Sequence, residues 1–242
     1  MRVAINLDDA TGARWAAEMA DRNPVTFSQV RTDASLWATD VRVRVDGQQM
    51  RLHDSTGAQV DVAVRLGGSY NTENLLSAVA GMMAVGYRLE DLKTAIEAVR
   101  PVPGRFEAVP NNAGIGILVD YAHTPDAIEK LLEAVRPLTA GRVITVFGCG
   151  GDRDKTKRPK MARAASLRSD LTVATSDNPR TEDPEAILRD VVVGIEPGVE
   201  HLAIVDRGEA ITAAIKAAKP GDVVVIAGKG HENYQIIGRT KY

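Results

Sequence analysis

Residues 174–184 read Ala174-Thr-Ser-Asp-Asn-Pro-Arg-Thr-Glu-Asp-Pro184. An apolar run, Leu171-Thr-Val-Ala174, leads into them and reads as a strand. Their polar residues therefore fall at the carboxyl end of a strand, where open α/β sheets bind ligands. Asn178 precedes a proline and is pushed out of helical space, while Pro179 fixes its own φ. The rigid tetrad Asp177-Asn-Pro-Arg180 presents a carboxylate, an amide and a guanidinium. A guanidinium can grip a carboxylate with two parallel hydrogen bonds, which an ammonium cannot. Both signs of charge close together suit a zwitterionic amino acid. The same residues also read as a turn with a helix N-cap, Thr181 or Asp183, ahead of Pro184. The tetrad alone leaves both readings open.

Outward from this stretch, strand and helix patterns alternate through the second half of the chain. Strands are predicted at 115–119, 143–147, 171–174, 201–205 and 223–227, and helices at 126–135, 160–167, 184–193 and 208–218. That alternation predicts a doubly wound α/β domain with a mostly parallel sheet. Its predicted strand tips hold most of the chemically suggestive side chains.

After the first of these strands comes Asp120-Tyr-Ala-His-Thr-Pro125. Asp120 and His123 are candidates for a ribose hydroxyl, a metal-bound water or a phosphate. The alternative is that Thr124 simply caps a helix beginning at Pro125. After the second comes Gly148-Cys-Gly-Gly-Asp-Arg-Asp-Lys-Thr-Lys-Arg-Pro159, with three glycines and the cations Arg153, Lys155, Lys157 and Arg158. Glycines permit close backbone approach and the cations favour anions. It is not a phosphate-cradling P-loop, because G-x-x-x-x-G-K-[ST] occurs nowhere in the chain. Cys149 reads as a small turn residue rather than a nucleophile. After the last strand comes Gly228-Lys-Gly-His-Glu-Asn-Tyr-Gln235, in which Glu232 can take an ammonium. His231 and Glu232 lack the second histidine of a helical zinc site.

The first part of the chain has a different grammar. A short strand at 3–5 and a helix at 11–21 open it, and residues 24–66 alternate as β structure, with a hairpin turn at Asp46-Gly47. His53 reads as a surface residue. Helices are predicted at 72–85 and 89–99, with Asn71 as a cap and Asn74 as an outward amide able to read a base edge. Two prolines and a glycine in Pro101-Val-Pro-Gly-Arg-Phe106 mark a domain boundary.

Composition limits what the chain does. Its 242 residues carry a formal charge of −2 and no basic block, which argues against nucleic acid. The single cysteine suits a reducing compartment, no apolar run approaches ~18 residues, and no signal-peptide pattern opens the chain, so a cytoplasmic protein off the membrane is expected.

Taken in order, Asn6-Leu-Asp-Asp9, Gly68-Ser-Tyr-Asn-Thr-Glu-Asn74, Gly104-Arg-Phe-Glu107, Asp120-Tyr-Ala-His-Thr-Pro125, residues 148–159, Asp177-Asn-Pro-Arg180 and Gly228-Lys-Gly-His-Glu232 resemble the Mur ligases end to end. Within that family the pattern looks like the branch that adds meso-diaminopimelate to UDP-N-acetylmuramoyl-L-alanyl-D-glutamate. The resemblance implies ATP and Mg2+ as cofactors, and an acyl phosphate on the D-glutamate carboxylate that an amine then attacks. It implies that residues 1–103 are the back part of the central ATPase domain. Residues 104–242 are then the Rossmann-like carboxy-terminal domain that receives the amino acid. Arg153, Asp177, Asn178, Arg180, Gly228 and Glu232 match the diaminopimelate pocket, with Arg180 as the residue that sets diaminopimelate enzymes apart from lysine-adding relatives. Asn74, Arg105, Asp120 and His123 match positions that approach the nucleotide. The family's UDP-binding domain, P-loop, modified lysine and magnesium-binding glutamate have no counterpart in these residues. The expectation is therefore a monomeric fragment, inactive alone. Two alternatives are a non-catalytic binding or assembly module, and an amide ligase for another amino acid such as lysine or glutamate.

Overall fold

The computed structural model describes residues 2–242. The chain divides into two compact units, residues 1–101 and 102–242.

The first unit is built on a five-stranded sheet with strands in sequence order: β1 (Ala4–Asn6), β2 (Val25–Ser28), β3 (Leu36–Val43), β4 (Gln48–Asp54) and β5 (Gln59–Val64). The first three strands run parallel and the last pairings are antiparallel. Helix α1 (Ala10–Glu18) separates β1 from β2, and starts where Asp9 accepts a hydrogen bond from Gly12 N–H. Exposure alternates strictly along β5, so the sheet buries one face. Helices α2 (Tyr70–Ala84) and α3 (Lys93–Glu97) cover that face, packing Leu75, Leu76, Val79 and Ile96 onto Leu36, Leu52, Val60 and Val62.

Three expectations here are corrected. The β pattern of residues 24–66 does not run regularly into the Asp46-Gly47 turn: β3 stops at Val43, after slipping register between Thr39 and Arg42, where Asp40 takes φ +54°. Asn71 is not a cap, because α2 already begins at Tyr70; its amide instead donates to the Gly67 carbonyl at 2.6 Å. His53 is half-buried, lies flat on Trp37 with ring centroids 5.2 Å apart, and has Nε2 2.7 Å from Thr39 Oγ1.

The second unit is a three-layer α/β domain. Its strands are β6 (Glu107–Ala108), β7 (Gly116–Asp120), β8 (Val143–Cys149), β9 (Leu171–Ser176), β10 (Glu200–Ile204) and β11 (Val223–Ala227), in the order β10-β9-β8-β11-β7-β6. All neighbours are parallel except the short β6. From β7 through β8 and β9 to β10 the chain always steps the same way across the sheet. Right-handed crossovers then put α4 (Pro125–Val135), α5 (Lys157–Ser166) and α6 (Pro184–Val192) on one face. The return from β10 to β11 runs the other way and puts α7 (Arg207–Ala217) on the opposite face. There Ala210 and Ala214 pack on Ile144, Val146, Leu171, Val173 and Val224. Strands β8 and β9 are buried along their whole length, as a doubly covered parallel sheet requires. A last hairpin, β12 (Ile236–Ile237) and β13 (Thr240–Lys241), follows β11. No helix among the described residues is long and apolar enough to cross a membrane.

Candidate functional site

The carboxyl ends of β7, β8, β9 and β11 lie side by side, so the loops that follow them converge. They enclose a cavity of about 570 Å³. Arg153, Asp177, Asn178, Arg180, Gly228 and Glu232 all line it, together with His123. Four separate loops thus bring to one place residues that are as much as 109 positions apart in sequence (from His123 to Glu232).

The loop after β9 is held by backbone contacts. Asn178 N–H donates to Asp177 Oδ1 at 2.7 Å, and Gly151 N–H donates to the Asn178 carbonyl at 2.9 Å. Gly151 sits so close that a Cβ there would collide with the Pro179 carbonyl. Arg180 occupies the left-handed region at φ +53°, which a non-glycine residue adopts only when its surroundings impose it. The last hairpin supplies that constraint: Arg180 N–H donates to the Ile236 carbonyl at 3.0 Å, and Gly238 N–H donates to the Arg180 carbonyl at 2.6 Å. Gln235 Nε2 adds a bond to the Asp177 carbonyl at 2.6 Å. The resulting guanidinium donates from Nη1 to the Gly151 carbonyl at 2.8 Å and to the Asn178 carbonyl at 3.3 Å. It has no carboxylate partner among the described residues, so its charge is available to a ligand.

The loop after β8 was expected to offer four cations, but they divide into two roles. Arg158 is 2 % exposed and is structural: it donates to Glu182 and to Asp190, each at 2.8 Å. Lys155 pairs with the same Glu182 at 3.1 Å. Hydrogen bonds from Arg158 and then from the Asp152 N–H pull the Glu182 carboxyl down to about 2. Asp152, at φ +53°, accepts from Thr181 Oγ1 at 2.8 Å. Of the two candidate caps, Asp183 is the N-cap of α6, accepting from Glu185 N–H, with Pro184 at the first helical position. Arg153 lines the cavity with no hydrogen bond or ion pair among the described residues. Cys149 lies at the cavity floor, and burial pushes its thiol up to about 12, so it is no nucleophile.

The loop after β11 supplies a carboxylate and a side chain that periodicity could not reveal. Gly228, at φ +114°, lets the loop turn directly under Asp177: a Cβ there would lie 3.3 Å from Asp177 Oδ2. Lys229 Nζ donates to Asn178 Oδ1 and to the Tyr234 carbonyl, both at 2.9 Å. Ile236 N–H also donates to Asn178 Oδ1 at 2.9 Å, and Asn178 Nδ2 donates to Glu232 Oε2 at 3.3 Å. Asn178 is 5 % exposed and every polar atom of its amide is engaged. It organises the cavity wall rather than offering a free amide.

The four residues matched to the nucleotide are arranged differently. Asp120 is a bracket: Oδ2 accepts from Phe106 N–H at 2.8 Å and Oδ1 from Ala122 N–H at 2.7 Å, both buried. The carboxylate proposed for a ribose or a metal-bound water is thus already committed to backbone. Arg105 lies 4.8 Å over the Tyr121 ring, and His123 meets the same ring edge-on at 4.7 Å. His123 Nδ1 is bonded to the Tyr121 carbonyl at 2.7 Å, which directs Nε2 elsewhere. Thr124 does cap α4, accepting from Ala127 N–H at 3.2 Å. Asn74 belongs to the first unit, exposed on α2, donating to Asn71 Oδ1 at 3.0 Å.

Lys229, Gln235 and Tyr121 were not singled out from the sequence. Lys229 and Glu232 at a spacing of three gave the one usable signal.

The family profile described as "Mur ligase, glutamate ligase domain" matches residues 104–230, and "Mur ligase middle domain" matches residues 2–82. The chain belongs to the Mur ligase family. Among similar proteins is the UDP-N-acetylmuramoyl-L-alanyl-D-glutamate–2,6-diaminopimelate ligase of Trichormus variabilis. It is 47% identical over 244 residues, which take in 99% of this chain and 49% of the relative. The ligase of that name from Gloeobacter violaceus is 48% identical over 241 residues, 99% of this chain and 48% of the relative. A solved structure of a ligase with the same name superposes with a TM-score of 0.75 at 38% identity, covering 100% of this chain and 50% of that one. A folylpolyglutamate synthase from Thermotoga maritima shares the fold alone, with a TM-score of 0.67 at 16% identity over 91% of this chain and 49% of that one. This Mur ligase chain thus spans about half the length of the curated relatives it matches. The mixed α/β fold with a Rossmann-like second unit is the family's.

Proposed function

We propose that this chain is the amino-acid-receiving part of an ATP-dependent ligase. That ligase joins meso-diaminopimelate to UDP-N-acetylmuramoyl-L-alanyl-D-glutamate in peptidoglycan precursor synthesis. The observation that carries this reading is that Arg153 and Arg180 share one cavity with Asp177 and Glu232. In it, the two carboxylates take the ammonium at one end of diaminopimelate. The two guanidiniums take the carboxylate at that same end, and the opposite amine is left free to attack. Asn178 and Gly228 shape the wall. Residues 1–103 are then the back part of the central ATPase domain and 104–242 the amino-acid-binding domain. Arg105 and His123 on the Tyr121 platform are the nucleotide-facing candidates of the second unit, and Asn74 is that of the first. The relatives' names support the substrate assignment. We place the parent enzyme in the cytoplasm as a monomer.

The residues present do not fit ATP and Mg2+. No G-x-x-x-x-G-K-[ST] loop occurs in the chain. Among the described residues no group of three or more His, Cys, Asp or Glu side chains is placed to hold a metal. This chain alone is expected to bind the amino acid without turning over ATP.

Isothermal titration of the 242-residue chain with meso-diaminopimelate tests the reading. Saturable heat at millimolar ligand or below supports it. A folded chain that gives no heat at that concentration overturns it.

A further inference from the structure

We infer that Lys229 is a positioning residue that sets the net charge of the cavity, and through it the preference for a dicarboxylic diamino acid over lysine. The inference rests on the amino-acid reading of the cavity given above.

The geometry separates what Lys229 bonds from what it neutralises. Its Nζ hydrogens go to Asn178 Oδ1 and the Tyr234 carbonyl, both at 2.9 Å. Asp177 Oδ1 and Glu232 Oε2 stand at 3.8 and 3.6 Å, beyond hydrogen-bond length but within strong Coulombic reach. The ammonium therefore offsets carboxylate charge without occupying carboxylate oxygens. Those oxygens are only partly engaged: Glu232 receives long contacts from Asn178 Nδ2 at 3.3 Å and Tyr121 OH at 3.4 Å, and it interacts with the Tyr234 hydroxyl. Asp177 keeps Oδ2 beside Gly228, where the missing Cβ leaves room. The side chains of Lys229, Asp177 and Glu232 are only 11%, 14% and 17% exposed, so water screens them weakly.

With Lys229 present, Asp177 and Glu232 together with it carry a single negative charge, which one ligand ammonium satisfies. Arg180 and Arg153 then leave the cavity wanting a carboxylate as well. An amino-acid end with one ammonium and one carboxylate matches both demands. Without Lys229 the carboxylate pair keeps both negative charges, and the balance tips toward a more cationic ligand. Lysine carries a net positive charge, whereas diaminopimelate carries none. Lys229 thus discriminates from behind the carboxylates, by charge, while Arg180 discriminates by direct contact.

The experiment is titration of the full 242-residue chain, as wild type, Lys229→Met and Lys229→Arg, with meso-diaminopimelate and with L-lysine. Thermal melting confirms that each variant is folded. The expected result is a wild type that prefers diaminopimelate and a Lys229→Met variant whose preference ratio falls at least tenfold. Lys229→Arg, which keeps the charge, should stay within threefold of wild type. Where methionine disturbs folding, Lys229→Gln carries the same test, since it removes the charge while keeping a polar amide at the position. A folded Lys229→Met or Lys229→Gln that keeps the wild-type ratio overturns the role of Lys229 and leaves the amino-acid reading standing. A folded wild type that binds neither ligand overturns both.

Discussion

The Arg180 guanidinium donates to the Gly151 carbonyl at 2.8 Å, so the loop after β9 is aimed by the loop after β8. Among the described residues no carboxylate of either loop pairs with it, and the arginine stays available. Arg180→Lys should therefore cost more than a charge-conserving change on an open surface. A lysine cannot span the Gly151 and Asn178 carbonyls and also present two parallel donors to a carboxylate. Titration with meso-diaminopimelate should show affinity weakened by about 2 kcal/mol, roughly thirtyfold, with binding of L-lysine changed much less.

The tightness of that junction gives a second expectation. A Cβ at Gly151 would collide with the Pro179 carbonyl, and the neighbouring Ile187 side chain gives no compensating space. Gly151→Ala should destabilise the second unit by about 1–3 kcal/mol, as overpacking does. It should also weaken diaminopimelate binding, because Arg180 loses its aim. A denaturant midpoint equal to wild type would show that the loop can open without cost.

Glu182 makes stability depend on acid in a defined window. Its folded-state pKa, about 2, is depressed from an ordinary value of 4.5, chiefly by the Arg158 hydrogen bond and then by Asp152 N–H. A depressed carboxyl contributes stability that is complete above its unfolded value and is lost as pH falls through its folded value. Wild type should therefore lose stability between pH 4.5 and pH 2. Glu182→Gln should lose about 1–2 kcal/mol at pH 7, toward the low end for a hydrogen bond to a charged group, because Glu182 is only part-buried and Asp190 still holds Arg158. Its stability should then fall less steeply in the acid window. Urea midpoints at pH 7 and pH 3 measure both effects.

The fold of the second unit was largely legible because its central strands are apolar runs and three of its four helices carry side-chain caps. Boundaries moved where the rule is local. Helix α5 begins at Lys157 rather than at 160, because Pro159 falls in the first turn, where its missing N–H has no partner to lose. The predicted helix at 89–99 is a short 3-10 turn over Glu90–Leu92 followed by Lys93–Glu97, since only Leu89, Leu92 and Ile96 are anchored in the core. The cavity's direct contacts were readable as charged residues at strand tips. Their supports were not. Lys229, Tyr234 and Gln235 act through carbonyls and amides of residues more than fifty positions away or just beyond a turn, and neither spacing nor hydrophobic pattern encodes that.

Gln235 isolates the contribution of those supports. Its amide donates to the Asp177 carbonyl at 2.6 Å and to Ser176 Oγ at 3.3 Å, tying the final hairpin to the end of β9. It does not line the cavity that holds Asp177, so Gln235→Ala removes no ligand contact. The Arg180 backbone would keep its bonds to Ile236 and Gly238, so the hairpin should remain docked. What changes is the freedom of the Asp177 peptide. Diaminopimelate affinity should fall by about 1 kcal/mol, roughly fivefold, the net worth of one lost hydrogen bond, with the thermal midpoint nearly unchanged. If affinity and melting fall together, the hairpin holds the unit as a whole, and Gln235 has no separate part in aiming the tetrad.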